Sequence, residues 1–160
     1  LSRFGPVHDK KNGAFYRISA AETSPYRTPP EWESGGGGLV STISDYAHFC
    51  QAVLDGGRFG TKRILDATTV RLMFANQLPK GISGQRFGLG FGLVDHDFGS
   101  EPHRRRRTAY RWGGYASTKF HIVPDEQLVL ITMRQRVPGN SICWNKLVPI
   151  IHAGLKPLAD

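Results

Sequence analysis

Apolar positions recur at helical spacing in three stretches of the chain. Tyr46, Phe49, Cys50, Val53 and Leu54 fall at i, i+3, i+4, i+7 and i+8, one face of a 3.6-residue turn. Thr42 and Asp45 stand where a capping box belongs, and Gly56-Gly57 follow where a left-handed close is expected. A second helix is predicted from Asp66 as N-cap, with Val70, Met73 and Phe74 turned inward. A closing helix is predicted over residues 141–155, with Trp144, Leu147, Val148, Ile151 and Leu155 as its buried stripe. Pro149 lies inside it and removes a backbone donor, so a kink is expected there.

Between the second and third helical stretches the period changes. Residues 87–94 alternate large side chains with glycine, which suits a strand approached closely by another layer. Residues 109–112, 118–123 and 128–134 read as three further strands, with Pro124-Asp125-Glu126 turning between the last two. Leu128 to Ile131 is uninterruptedly apolar, the pattern of a strand covered on both faces. Residues 100–108 read as a polar connection, and residues 1–34 as an extended segment with one strand at 15–18. The predicted fold class is α+β, an antiparallel sheet flanked by helices, in a single unit over residues 1–160 without internal repeats.

Composition narrows the class. The 160 residues are 39% apolar and 11% aromatic, enough for a core and too much for general disorder. No apolar run reaches the roughly 18 residues of a membrane span. Two cysteines, Cys50 and Cys143, give neither a disulfide framework nor metal spacing. They fit a reducing compartment without requiring one, and nothing else in the sequence assigns a location. The formal net charge of +8 points to an anionic partner or simply to a basic surface.

The charge is densest at His103-Arg104-Arg105-Arg106-Arg107. Four adjacent guanidinium groups cannot be buried unpaired, so Arg104, Arg105, Arg106 and Arg107 read as a solvated or entrance loop. No recognition helix and no stacking platform accompanies them, which argues against nucleic-acid binding.

Other searches return nothing. The run Gly35 to Gly38 lacks the Gly-Lys-Ser/Thr of a phosphate loop, leaving flexibility or close packing before a helix as its explanation. Asp95-His96-Asp97 reads as a solvated turn, since neighbours in a strand or turn point apart and cannot converge on a metal. His121 alternates with Phe120 and Ile122 and reads as a satisfied or exposed structural histidine.

Two longer motifs remain. One is Ser34-Gly35-Gly36-Gly37-Gly38-Leu39-Val40-Ser41-Thr42, leading into Asp45-Tyr46-Ala47 and Phe49; the other runs from Trp112-Gly113-Gly114-Tyr115 through Pro124-Asp125-Glu126. Gly60-Thr61-Lys62-Arg63-Ile64-Leu65 and Phe87-Gly88-Leu89-Gly90-Phe91-Gly92 lie between them. In this order the four resemble the C-terminal half of the serine β-lactamase-like hydrolases, a penicillin-binding or transpeptidase-like fold. The nearest branch resembles class C β-lactamases and family VIII carboxylesterases. The resemblance extends from Glu31 to Gln135 and more loosely into the closing helix.

The resemblance implies roles. Trp112-Gly113-Gly114 occupies the place of the family's Lys-Thr-Gly strand beside the reactive serine, and Tyr115 the place of the residue whose backbone N–H enters the oxyanion hole. A fixed donor there stabilises the oxygen that gathers charge in acyl transfer, and the glycines leave room for a substrate lying along the edge. Trp112 replaces the lysine that would attract a substrate carboxylate. Arg111 cannot stand in for it, because adjacent strand residues face opposite ways. This tilts the expected substrate toward neutral esters, with amides as the wider class.

The resemblance also implies what is missing. None of the chain's serines is followed three positions later by lysine, and Gly-x-Ser-x-Gly is absent. Tyr115-Ala116-Ser117 matches the family's Tyr-x-Asn/Ser element in letters but lies inside the edge-strand motif. The expectation is therefore a C-terminal portion with its nucleophile, lysine and tyrosine encoded ahead of Leu1, with no metal or cofactor, inactive alone, and prone to self-association or to covering by the absent part. The alternative is a non-catalytic module that binds a partner through an edge strand and the basic loop.

Overall fold

A computed structural model describes residues 5–20, 22–80, 82 and 84–155. The first four residues of the segment read as extended, Ala21 within it, and the last five residues of the predicted unit lie outside the described residues.

The chain opens with a hairpin, β1 (Val7–Lys11) and β2 (Ala14–Ser19), where a single strand is predicted. Helix α1 (Ile43–Leu54), a two-residue ribbon of β3 (Arg58–Phe59) and β4 (Lys62–Arg63), and α2 (Ala67–Phe74) follow. Then come β5 (Arg86–Phe87), β6 (Gly92–Phe98), β7 (Arg105–Gly113), β8 (Lys119–Val123) and β9 (Leu128–Thr132), paired in that order as an antiparallel meander. Helix α3 (Ile142–Gly154) closes the described chain. The α+β class and the antiparallel sheet are as predicted. Among the described residues, no helix is long and apolar enough to cross a membrane.

α1 begins as its sequence dictates. Thr42 Oγ1 accepts the Asp45 backbone N–H at 3.1 Å and donates to the Asp45 carboxylate at 2.8 Å, satisfying donors that a helix start otherwise leaves bare. Gly56 and Gly57, at φ 64° and 91°, end it, and Gly57 N–H returns to Ala52 O at 2.7 Å. Its buried face, Cys50 and Val53, joins Val70 of α2 and Phe91, Phe120 and Ile122 in the main core.

Because β8 alternates, Phe120 and Ile122 face α1 and α2, while His121 and Val123 face the other way. There Phe98, Ala109 and Val123 form a smaller cluster with Leu155 just past α3. The sheet is thus a middle layer.

Several predicted elements are corrected. Residues 87–94 are two strands and a turn: Gly88 N–H donates to Phe91 O at 2.8 Å, and Gly90 takes φ 87°. The close approach inferred from the glycines is real but belongs to that turn, because a Cβ on Gly88 would stand 1.9 Å from the Met73 carbonyl oxygen at the end of α2.

The polar connection over 100–108 is also shorter than predicted, because β7 starts at Arg105. Arg106 lies opposite Asp97, and Thr108 opposite Asp95, while Arg105 and Arg107 lie opposite Phe98 and His96.

β9 is covered on both faces but only half-buried: Val129 and Ile131 pack against the main core and Leu128 against the smaller cluster, and β9 is the outermost strand among the described residues. In α3 the inward stripe is Trp144, Val148 and His152, spaced by four, and Leu147 turns outward. Pro149 lies inside a helix that continues past it.

Candidate active-site ribbon

β7 outruns its neighbour. Its last pair with β6 is Arg111 opposite Gly92, whereas Trp112 and Gly113 still pair with Phe120 and Lys119 of β8. Over these two residues the strand has a sheet partner on one side and an open edge on the other. Gly114 N–H then donates to Thr118 O at 2.9 Å and starts a tight turn.

That turn is held from behind. Ser117 sits at φ 69°, a left-handed conformation uncommon for a non-glycine residue, and is almost fully buried. Its hydroxyl donates to Arg136 O at 2.8 Å and accepts the Asn140 N–H at 3.3 Å, while Arg136 N–H reaches Ala116 O at 3.1 Å. Removing the hydroxyl leaves both backbone groups without their partner. Ser117→Ala should therefore cost about 1–3 kcal/mol in thermal unfolding, with faster amide exchange confined first to residues 114–118.

The ribbon residues are accessible. Trp112 is 55% and Tyr115 82% exposed. Tyr115 N–H has no hydrogen-bond partner among the described residues. The Trp112 indole meets Phe87 edge-on at 4.9 Å, and its ring atoms lie 3.7 Å from where a Gly92 Cβ would be.

The two glycines serve the fold more directly than predicted. A Cβ on Gly114 would be 2.3 Å from Thr118 Oγ1, and one on Gly113 would be 3.2 Å from Thr118 O. Room along the edge therefore coincides with a requirement for turn closure.

Behind the ribbon lies a hollow of about 180 Å³, lined by Arg111, Trp112, Gly113, Lys119, His121 and Trp144 among others. Burial, and then Arg111, push the Lys119 pKa down. Its ammonium donates to Ser141 Oγ at the start of α3. A larger depression, about 380 Å³, lies beside Phe74 and Tyr110 and includes no ribbon residue.

This geometry can be set against known proteins. A model of the Beta-lactamase family matches residues 6–142. The chain belongs to the Beta-lactamase family. Two curated relatives are Uncharacterized protein MT1414 and Protein Rv1367c, from the CDC 1551 / Oshkosh and H37Rv strains of Mycobacterium tuberculosis. Each is 30% identical over 132 residues, which is 74% of this chain and 33% of the relative. The chain therefore spans about a third of their length.

In this family member three residues of the arginine run, Arg105, Arg106 and Arg107, are strand residues of β7, and Arg104 immediately precedes it. Arg104 pairs with Asp97 at 2.5 Å, and Arg106 approaches Asp97 at 3.6 Å and Asp95 at 3.9 Å. Arg105 makes a two-pronged contact with the buried Glu126, and Arg107 stands 3.4 Å from the same carboxylate. Arg86 and Thr108 hold the Asp95 carboxyl below its ordinary pKa, and Arg104 does the same for Asp97. The physical reason is partly register and partly the turn after β8: Arg106 lies across from Asp97, whereas Arg105 and Arg107 lie across from Phe98 and His96 and reach Glu126 instead.

Other expectations also shift. Asp95-His96-Asp97 is in β6 rather than a turn, its aspartates on one face and its imidazole on the other. His121 is neither satisfied nor exposed: it is 2% exposed, and its Nδ1 lacks a partner. The residues Gly35 to Gly38 lie in open space, with no neighbouring group that a Cβ on Gly35, Gly37 or Gly38 would meet within 4 Å, so close packing does not explain the run. Cys50 and Cys143 are free thiols, and burial pushes the Cys50 pKa up to about 12. No cluster of three or more His, Cys, Asp or Glu among the described residues could hold a metal ion. Sequence reasoning missed Ser117, whose left-handed backbone has no signature in its letters, and the meeting of three histidines distant in sequence.

Proposed function

We propose that this chain is the C-terminal portion of a serine hydrolase that forms and hydrolyses an acyl-enzyme, acting on esters or amides and preferentially on neutral esters. The observation that carries the reading is the open-edged ribbon Trp112-Gly113-Gly114-Tyr115, with a free backbone N–H at its end. In the parent protein a serine hydroxyl attacks the substrate carbonyl and forms the new C–O bond. The carbonyl oxygen becomes an oxyanion, to which Tyr115 N–H donates. Collapse expels the alcohol or amine with a proton, and water then releases the acid from the serine. These steps use protein groups and water alone.

On this reading the serine, its lysine and the tyrosine belong to polypeptide ahead of Leu1. Two features support a missing partner: the open outer edge of β9, and Leu147 and Ile150 turned outward on α3. The preceding polypeptide would cover them. Trp112 in place of a cation, with its indole half-exposed at the edge, supports a substrate without a carboxylate to pair.

An oxyanion donor without an activated nucleophile gives little acyl transfer. The 160-residue chain should therefore leave p-nitrophenyl acetate and a chromogenic cephalosporin at the buffer rate and take no label from a fluorophosphonate probe. Turnover well above buffer, or a serine found labelled by mass spectrometry, would contradict the reading.

A further inference from the structure

Three histidines from three elements meet on the α3 face of the sheet: His96 of β6, His121 of β8 and His152 of α3. Their ring centroids are 5.0 Å apart for His96 and His121, 5.1 Å for His96 and His152, and 6.2 Å for His121 and His152. Phe98 stacks on His152 at 4.0 Å, and Trp144 stands edge-on to His121 at 4.7 Å. Nε2 of His96, Nδ1 of His121 and Nε2 of His152 are buried without a hydrogen-bond partner among the described residues.

Such a cluster tolerates neutral imidazoles and opposes charged ones. Its surroundings sharpen this. Arg111 of β7 and Lys119 of β8 act on His121, and Arg111 and Arg106 act on His96. Asp95 and Asp97 pull the other way on His96, and Glu126 on His152, but these carboxylates are paired with arginines and act less strongly than burial. α3 itself contributes His152 and the neutral ring of Trp144. Burial and the other cluster imidazoles hold the His121 pKa down to about 3, and burial and then His96 hold His152 down to about 4. Burial, and then Arg111, also lower His96.

We propose that the three-imidazole cluster is an acid-sensitive latch, which keeps α3 docked on the sheet while neutral and releases it on protonation. An imidazole freed from the cluster titrates near its ordinary value of about 6.5. The docked values lie below that, so docking has its full strength above about pH 6.5 and weakens as pH falls toward the docked values. The opposite face of the sheet, where α1 packs through Tyr46, Cys50 and Val53, has no imidazole in its core cluster and stays closed. Release would also break the Lys119–Ser141 contact and unload His121, which lies opposite Arg111, one residue from Trp112. The latch stands independently of the acyl-transfer reading.

The test is hydrogen exchange on the 160-residue chain from pH 7.5 to 4.5, corrected for intrinsic rates, alongside Trp144 emission in a Trp32→Phe/Trp112→Phe background. Below pH 6.5 the opening of residues 142–154 should grow by about ten- to a hundredfold per pH unit, the slope of one to two protons. α1 should keep its protection, and His121→Gln/His152→Gln should flatten the slope. A second readout needs no variant: the ring signals of the three histidines in the wild-type chain should shift together with loss of α3 protection. The proposal is overturned if α3 stays protected down to pH 5, if α1 and α3 open in step, or if a folded double variant keeps the slope. It is equally overturned if the three rings titrate singly near pH 6.5 while α3 remains docked.

Discussion

Glu126→Ala should destabilise the protein by about 3–5 kcal/mol, because it removes the two-pronged carboxylate contact from a largely buried guanidinium, which keeps its bond to the His103 carbonyl. The Glu126 side chain is 3% exposed and that of Arg105 15%, so water cannot readily take over the lost contacts. Arg107, 3.4 Å from the same carboxylate, loses that contact at the same time and keeps only the exposed Asp125 at 3.7 Å as an acidic partner. Urea unfolding should show a lower midpoint with an unchanged slope. Arg105→Met/Glu126→Leu should lose far less, since an apolar pair of similar size avoids the bare charge. Asp97→Asn, which touches only well-exposed arginines, should barely move the midpoint. A Glu126→Ala protein as stable as the wild type would mean that the pair is hydrated and does not anchor β7.

The contrast between these carboxylates explains what could be read from letters alone. α1 was fully legible because its capping pair, its apolar spacing and its closing glycines all act within a few residues. The three later strands were legible in place and number for the same reason. The arginine run was not, because its meaning depends on Asp95, Asp97 and Glu126, which antiparallel register brings alongside from other strands and turns. Within residues 87–94 the alternation was genuine, but the Met73 carbonyl against Gly88 turns the chain where a free sequence would run straight.

The candidate site divides in the same way. Trp112-Gly113-Gly114-Tyr115 was visible as a motif, and the place it takes at an open edge follows from local pairing. What makes the ribbon rigid was not visible: Ser117 is braced by Arg136 and Asn140, 19 and 23 positions away. The histidine cluster was hidden more deeply. His96, His121 and His152 each sit in an ordinary local pattern, and only the stacking of α3 on β6 and β8 brings them together.

The second large effect concerns the Tyr115 backbone. On the proposed reading its N–H is a donor to the developing oxyanion, and the phenol side chain, turned to solvent, is secondary. Tyr115→Ala keeps the donor, whereas Tyr115→Pro deletes it; Gly114 ahead of the proline tolerates the change better than a bulkier residue would. The most direct measurement is the acylation burst with a p-nitrophenyl ester in the parent polypeptide carrying each substitution, with folding verified by circular dichroism. Tyr115→Pro should slow acylation by about 10²–10³-fold, the usual loss for one oxyanion donor, while Tyr115→Ala stays near the wild-type rate. Equal bursts from the proline and alanine variants, in folded protein, would contradict the placement of the ester carbonyl at this ribbon.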